Sequence, residues 1–369
     1  MSLEVELIKI YEEVKKSFYQ NKENNNQKSK HWKRYDFRSF NPENLKNFRL
    51  NGKLSDGLDD KDEKFSFKIF SELVDKITES YLLDNLPKKN IGNCDNFIKY
   101  KGVFVDYNKL IQIYWFWIIE RQVLKTNKIS NVCEIGGGFG SFSELFLKNY
   151  NIKLFSIDLP EANLMTTYYL KKNFPEKKFF LFDKYQIKNF ISLEDFKNHD
   201  IFILPPNCNL DINIKFDFFI NTRSMMEMNF DIIRKYFNFI HKYSHKNTFF
   251  LNINRYEKDS VGHSIRISEY PYDNNWKVLL SEPSFNQEWI HFLLTKRCFN
   301  KIENNISNEL LKIKQHGSKY YGKYIDYTPK FIILKKFLRK TLIIFIGTKN
   351  LNKLSKILID IGYKLKDIK

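Results

Sequence analysis

Cysteine is scarce and scattered in this chain. The four present, Cys94, Cys133, Cys208 and Cys298, form no C-x-x-C pair. That removes a disulfide framework and a zinc site from consideration and suits a reduced, cytoplasmic protein. Long apolar runs are also missing. No stretch approaches the roughly 20 residues needed to span a bilayer. Residues 1–18 alternate acids with lysines instead of presenting an apolar signal core. The expectation is a soluble or peripheral protein. No internal repeat is visible. Acidic residues are outnumbered, 43 against 61 Lys and Arg, for a net charge of +18. Such a charge invites nucleic acid, but except at the C-terminus the lysines are dispersed rather than interleaved with an aromatic platform, which argues against that partner. What is plentiful is apolar and aromatic material, 43% of the chain with 35 Phe and 21 Tyr. That is ample for a core and excludes wholesale disorder. The 369 residues suit a main domain of about 200 with additions.

The most informative stretch begins at Asn131. A short apolar run ends in Glu134, passes through Gly136, Gly138 and Gly140, and opens into a helix-like pattern from Ser141. This reads as a strand, a tight turn and a helix N-terminus. The glycines permit positive φ and let a ligand lie against the backbone, and the helix start offers unpaired N–H groups and partial positive charge. A dinucleotide-type G-x-G-x-x-G turn wants Gly or Ala where Ser141 stands. A second apolar strand, Leu154 to Ile157, closes on Asp158, 22 residues after Gly136. One helix joining two adjacent parallel strands has that separation, and a carboxylate at the second strand's tip can accept both hydroxyls of a ribose. A solvated strand-end acid is the other reading of Asp158 taken alone.

Strands are also expected at 201–204, 216–221, 248–253, near 276–280 and at 290–295, with 179–182 competing with 201–204 for third place in the sheet. Helical spacing appears at 1–20, 66–83, 106–125, 161–173 and 231–245. Alternating strands and helices imply a parallel sheet. The expected organisation is an N-terminal helical and irregular cap over 1–125, a Rossmann-like α/β domain over 126–298 with helices on both faces, and a basic amphipathic C-terminal extension over 299–369.

The E-x-G-x-G-x-G run of Glu134 to Gly140 resembles the first motif of class I S-adenosylmethionine-dependent methyltransferases. Further along, the run from Asp217 through Asn221, Ser224 and Glu227 to Met228 resembles an element of the bacterial sugar O-methyltransferase family. Trp32, Leu45 to Arg49, Asn252 with Asn254, and Tyr270-Pro271 leading to Trp276 are similar to that family in the same order, over about residues 30–298. The resemblance implies S-adenosylmethionine as cofactor, an antiparallel pair closing the sheet, and methylation of a sugar hydroxyl in a capsule, lipopolysaccharide or related glycan. It assigns the cofactor to Glu134, Gly136, Gly138, Gly140, Asp158, Leu159 and Asn221. Nucleic-acid amino-methylating enzymes of similar fold carry N-P-P-[YF] after the fourth strand, where this chain has Asn221 to Ser224. A nicotinamide-dependent epimerase or dehydrogenase is the other chemistry weighed and would want a Tyr-x-x-x-Lys pair on a helix; Tyr11 with Lys15 precedes the glycine turn, and the fourth position after Tyr320 is Tyr324. A nucleic-acid or protein methyltransferase using the same cofactor site is a third reading.

Methyl transfer is an in-line displacement, and a sugar hydroxyl needs help losing its proton. Ligands of such sheets lie beyond the C-terminal strand ends. Arg223, Ser224, Asn254, Arg255, Tyr256 and Tyr270 are therefore the acceptor-side candidates. His263 is the first choice as general base, since imidazole titrates near working pH, and Glu227 the second. No carboxylate cluster suggests a metal, so none is expected. In the tail, Phe331, Leu334, Leu338, Leu342 and Phe345 recur at helical spacing among lysines. Two readings stand for 329–369: a helical pair packed on the core or on a partner subunit, or a basic segment lying on the inner membrane.

Overall fold

A computed structural model describes residues 1–20, 29, 32, 40–50, 63–95, 97–188, 190–206, 208–210, 213–299 and 305–322. The described residues up to Gly322 form one compact unit. The tail over 329–369 thus lies outside the described residues.

Short all-apolar runs between turn signals become buried parallel strands. After a short antiparallel pair, β1 (Ile98–Tyr100) and β2 (Val103–Val105), the strands β3 (Asn131–Ile135), β4 (Lys153–Ile157), β6 (Ile201–Leu204), β7 (Phe216–Thr222) and β8 (Ser244–Arg255) form the parallel centre of a mixed sheet. An edge strand, β5 (Phe179–Phe180), extends it beyond β6. On the other side β12 (Gln287–Arg297) runs antiparallel to both β8 and β11 (Trp276–Ser284). The order is β11-β12-β8-β7-β3-β4-β6-β5. This is the Rossmann-like class I methyltransferase sheet expected from the sequence, antiparallel closing pair included. The competition for third place resolves in favour of 201–204, which pairs with β4, while Phe179 and Phe180 add one strand outside it.

Side chains leave a strand alternately on its two faces, so the sheet feeds two cores. Val132, Leu154, Phe218, Ile220, Leu251 and Ile253 face one, and Cys133, Phe155, Phe219, Phe250 and Leu293 the other. Helices α5 (Tyr107–Ile119), α6 (Ser141–Asn149) and α7 (Pro160–Asn173) supply Phe116, Phe146, Leu164 and Leu170 to the first core. Beyond the short α8 (Phe182–Lys188) and α9 (Leu193–Asn198), α10 (Phe230–Tyr243) supplies Ile233 and Phe237 to the second. α11 (Ile306–Gly317) joins the second core through Ile306 and Ile313, although its residues belong to the stretch read as an extension.

The N-terminal region packs on the same unit. α1 (Leu3–Gln20) lies along α7, where the Tyr19 hydroxyl donates to both carboxylate oxygens of Glu161 at 3.0 and 2.8 Å. α2 (Pro42–Lys46) leads to Phe48, whose ring meets Phe139 of the glycine turn at 5.3 Å. The periodic stretch at 66–83 divides into α3 (Glu63–Lys76) and α4 (Glu79–Asn85), because Thr78 caps the second helix by accepting from the Tyr81 amide. Among the described residues no helix is long and apolar enough to cross a membrane.

Candidate functional site

The turn after β3 is built on three left-handed glycines, Gly136, Gly138 and Gly140, with φ of 72°, 63° and 85°. Each has a different physical reason. A Cβ at Gly136 would land on the Ser224 hydroxyl, so two chain segments touch there. One at Gly140 would press on Thr166 and Leu170 of α7 at 3.1 and 3.3 Å. One at Gly138 would meet nothing within 4 Å among the described residues beyond its chain neighbours, so that part of the turn faces open space. Gly140 caps α6 without a side-chain hydrogen bond, leaving the helix's first N–H groups and dipole to whatever lies over the turn.

Asp158, at the tip of β4, closes the other side. Its Oδ2 accepts from the Gly138 amide at 3.0 Å and its Oδ1 from the Leu159 amide at 2.7 Å. Asp158 and Leu159 are half-buried. Each carboxylate oxygen retains a lone pair for a further donor. Glu134 lies beneath the turn, fully buried, with Oε2 accepting from the Ser143 hydroxyl. Its Oε1 has no hydrogen-bond partner among the described residues. Burial raises the Glu134 carboxyl to about 7, against the opposing pull of Ser143 and Lys109. Burial likewise raises Asp158, opposed by the Leu159 and Gly138 amides and reinforced by Glu134 and Glu161.

This pair sets a pH dependence. Between about pH 4 and 7 both acids hold protons more tightly folded than unfolded, so the ligand-free protein loses stability as pH rises through that window. A ligand bringing an ammonium and ribose hydroxyls needs ionised acceptors. Affinity for S-adenosylhomocysteine is therefore expected to rise from pH 6 to 8, with proton release seen by calorimetry in buffers of different ionisation heat. Glu134→Gln should flatten that rise. A pH-independent affinity in the wild type would contradict the arrangement.

The sequence did not single out Lys109, which braces the turn from α5. It is 2% exposed, and its Nζ donates to Ser141 O and Glu144 Oε2, both at 2.7 Å. Its only signal in the sequence is a lysine on an apolar helix face. Ser141 in turn donates to Gln112 Oε1 at 2.7 Å. Arg49, within a predicted signature, pairs with Asp106 at 3.3 Å, with its guanidinium 5.1 Å from the Phe139 ring centroid.

The segment after β7 comes together less simply than its sequence suggests. Asn221 is fully buried, and its Nδ2 donates to Ile135 O at 2.8 Å and Ser224 Oγ at 2.9 Å. Its Oδ1 accepts from the Met225 amide at 3.2 Å and from Asn254 Nδ2 at 2.8 Å. Asn254, also fully buried, donates to Asn252 Oδ1 at 2.6 Å and accepts from the Met226 amide at 3.2 Å. Asn221, Asn254 and the buried Ser224 thus fasten the glycine turn to the ends of β7 and β8, as bracing rather than as a lining. Tyr256 is 1% exposed, bonded to His291 Nδ1 at 2.9 Å and stacked on Tyr320 beside α11. This places it in the second core. Tyr270 is buried there too, its hydroxyl without a hydrogen-bond partner among the described residues.

Arg223 and Arg255 remain half-buried at the strand ends, and Glu227 forms an ion pair with Lys258. Lys258 belongs to β9 (Glu257–Asp259), which forms a hairpin with β10 (Ser264–Arg266). His263 sits exposed in the hairpin turn. Among the described residues no group of three or more His, Cys, Asp or Glu side chains converges as a metal site would require.

No family model and no curated protein matches this sequence. Solved structures do resemble it at low identity. Mitomycin 7-O-methyltransferase is 14% identical over 52% of this chain and 57% of its own, with a TM-score of 0.33. This chain therefore spans little more than half of that enzyme. A SAM-dependent methyltransferase from Aquifex aeolicus is 12% identical over 52% of this chain and 94% of its own, TM-score 0.33. An amino pentose methyltransferase from Micromonospora echinaspora, involved in calicheamicin biosynthesis, is 8% identical over 51% and 91%, TM-score 0.34. The assignment of the fold rests on the strand order: β3, β4, β6, β7 and β8 in parallel, closed by antiparallel β12 with β11 at the edge, make a Rossmann-like class I methyltransferase sheet.

Proposed function

We propose that this chain is an S-adenosylmethionine-dependent O-methyltransferase acting on a sugar hydroxyl of a surface-glycan precursor in the cytoplasm. The observation that carries the cofactor half is the glycine turn. Gly138 opens onto empty space while its amide is held by Asp158, at the point where the strand order reverses. The residues fit the cofactor: Glu134 Oε1 is a buried acceptor in need of a donor, the α6 start favours a carboxylate, and Asp158 can take ribose hydroxyls. The acceptor half is supported by the ordered resemblance of Asn221, Ser224, Glu227, Asn252 and Asn254 to sugar O-methyltransferases.

When bound, the cofactor supplies an electrophilic methyl group on a sulfonium. The chain's part is to hold the acceptor oxygen about 3 Å from that carbon, opposite sulfur, and to take its proton. A proton taken by Glu227 would break its pair with Lys258, which favours His263 as the base. Transfer of labelled methyl to sugars and nucleotide sugars tests the reading. His263→Ala should lower turnover roughly 10²–10⁴-fold with cofactor affinity intact. Turnover that survives in His263→Ala and collapses in Glu227→Gln would exchange the two roles. Labelling of RNA or protein in place of any sugar would overturn the acceptor.

A further inference from the structure

A general base must be held within hydrogen-bond reach of the proton it takes. His263 stands exposed in a turn between two strands of only three residues each. A hairpin that short is marginal by itself. Val261 and Ile265 anchor it in the second core. Its open end is closed by Glu257 and Arg266, which face each other across the ladder. Arg266 Nε donates to Glu257 Oε1 at 2.8 Å, and the Glu257 side chain is 7% exposed. The other oxygen, Oε2, accepts from the Gly322 amide at 2.6 Å. One carboxylate thus joins the hairpin to a segment 65 residues further along.

The same segment grips the hairpin's surroundings elsewhere. The Arg266 guanidinium sits over the Tyr321 ring, 4.6 Å from its centroid, and the Tyr321 hydroxyl is 3.4 Å from Ser268 Oγ. Tyr320 stacks on Tyr256, the residue before β9, at 5.3 Å and 11°. At Gly317 the end of α11 comes so close to the Tyr256 ring that a Cβ would lie 2.5 Å from it. Residues 306–322 lie outside the stretch that resembles sugar O-methyltransferases. We infer that they form a clamp on the β9–β10 hairpin, with Glu257 as the positioning residue that fixes His263 for proton transfer. The use of the clamp in catalysis rests on the methyltransferase reading and on His263 as the base; the clamp itself does not.

Glu257→Gln and Tyr321→Ala, made in the full chain, probe the contact from its two sides. Gln offers one acceptor oxygen where two donors converge, so its amide N–H groups must meet either Arg266 or Gly322. Amide exchange over 257–266 should quicken roughly tenfold or more in Glu257→Gln, and in the same direction in Tyr321→Ala. The imidazole Cε1–H resonance of His263, identified by its loss in His263→Ala, should shift in both variants. That of His199, beside Phe180 of the edge strand β5, should stay, and affinity for S-adenosylhomocysteine should be unchanged. An unmoved His263 resonance with unchanged exchange in Glu257→Gln overturns the inference. A hairpin that responds to Glu257→Gln but not to Tyr321→Ala is held by its own Glu257–Arg266 pair, which overturns the clamp. Faster exchange throughout the molecule with loss of S-adenosylhomocysteine affinity marks general destabilisation and overturns it too. A wild type that binds no S-adenosylhomocysteine would instead sink the methyltransferase reading, and the exchange data would still decide the clamp.

Discussion

Gly138→Val is expected to abolish measurable S-adenosylmethionine binding in a protein that still folds. The new side chain would enter the open space over the turn, where an added Cβ would meet no atom of the described residues within 4 Å apart from its chain neighbours, and where the ligand must approach the backbone. The left-handed φ of 63° adds strain of about 1–2 kcal/mol, a fraction of a typical domain's stability. Gly138→Asn separates the two effects, because Asn accepts that backbone while still occupying the space. Asp158→Ala acts on the same site from the other side. It removes a charged acceptor for ribose hydroxyls and should weaken binding by about 1.5–3 kcal/mol, or roughly ten- to a hundredfold. Unchanged affinity in all three variants would contradict the assignment.

Gly136→Ala should fail for the opposite reason. Its Cβ would land on the Ser224 hydroxyl, with Ser224 Cβ close behind, at a φ of 72°. Overpacking and backbone strain together suggest a loss of about 2–4 kcal/mol in stability. Ser224→Gly removes the colliding atoms. In a double-mutant cycle it should restore part of the stability lost in Gly136→Ala, even though alone it forfeits the hydrogen bond from Asn221. Denaturant midpoints of the four proteins measure the coupling. Strict additivity would mean that the turn and the β7 end do not touch as described.

The contrast between these two glycines shows what the sequence could convey. Strand, turn and helix start at 131–147 are local features, set by apolar runs and glycine spacing, and so is the distance to Asp158. Which glycine faces a ligand and which faces Ser224 is tertiary. The same holds for Asn221 and Asn254, polar residues beside a presumed cleft whose side chains turn out to be taken up by each other and by the backbone of Ile135, Met225 and Met226. Asn254, Arg255 and Tyr256 are consecutive, but Asn254 and Arg255 end β8 on alternating faces and Tyr256 lies just past the strand. Tyr256 turns into the second core, where it meets His291 and Tyr320. The β9–β10 hairpin that positions His263 and Lys258 is made of short, charged strands with no alternating apolar signal. Helix α11 contributes few buried residues, and Leu311 on it is exposed, so its periodicity is faint.

On the proposed function, the open glycine turn, with Glu134 and Asp158, holds S-adenosylmethionine. Calorimetry of the full-length wild type against S-adenosylhomocysteine and NADH, with Gly138→Asn beside it, tests this most directly. Saturable binding of S-adenosylhomocysteine, none of NADH, and loss of the signal in Gly138→Asn are expected. Binding of NADH in preference, or S-adenosylhomocysteine bound equally by wild type and Gly138→Asn, would contradict it.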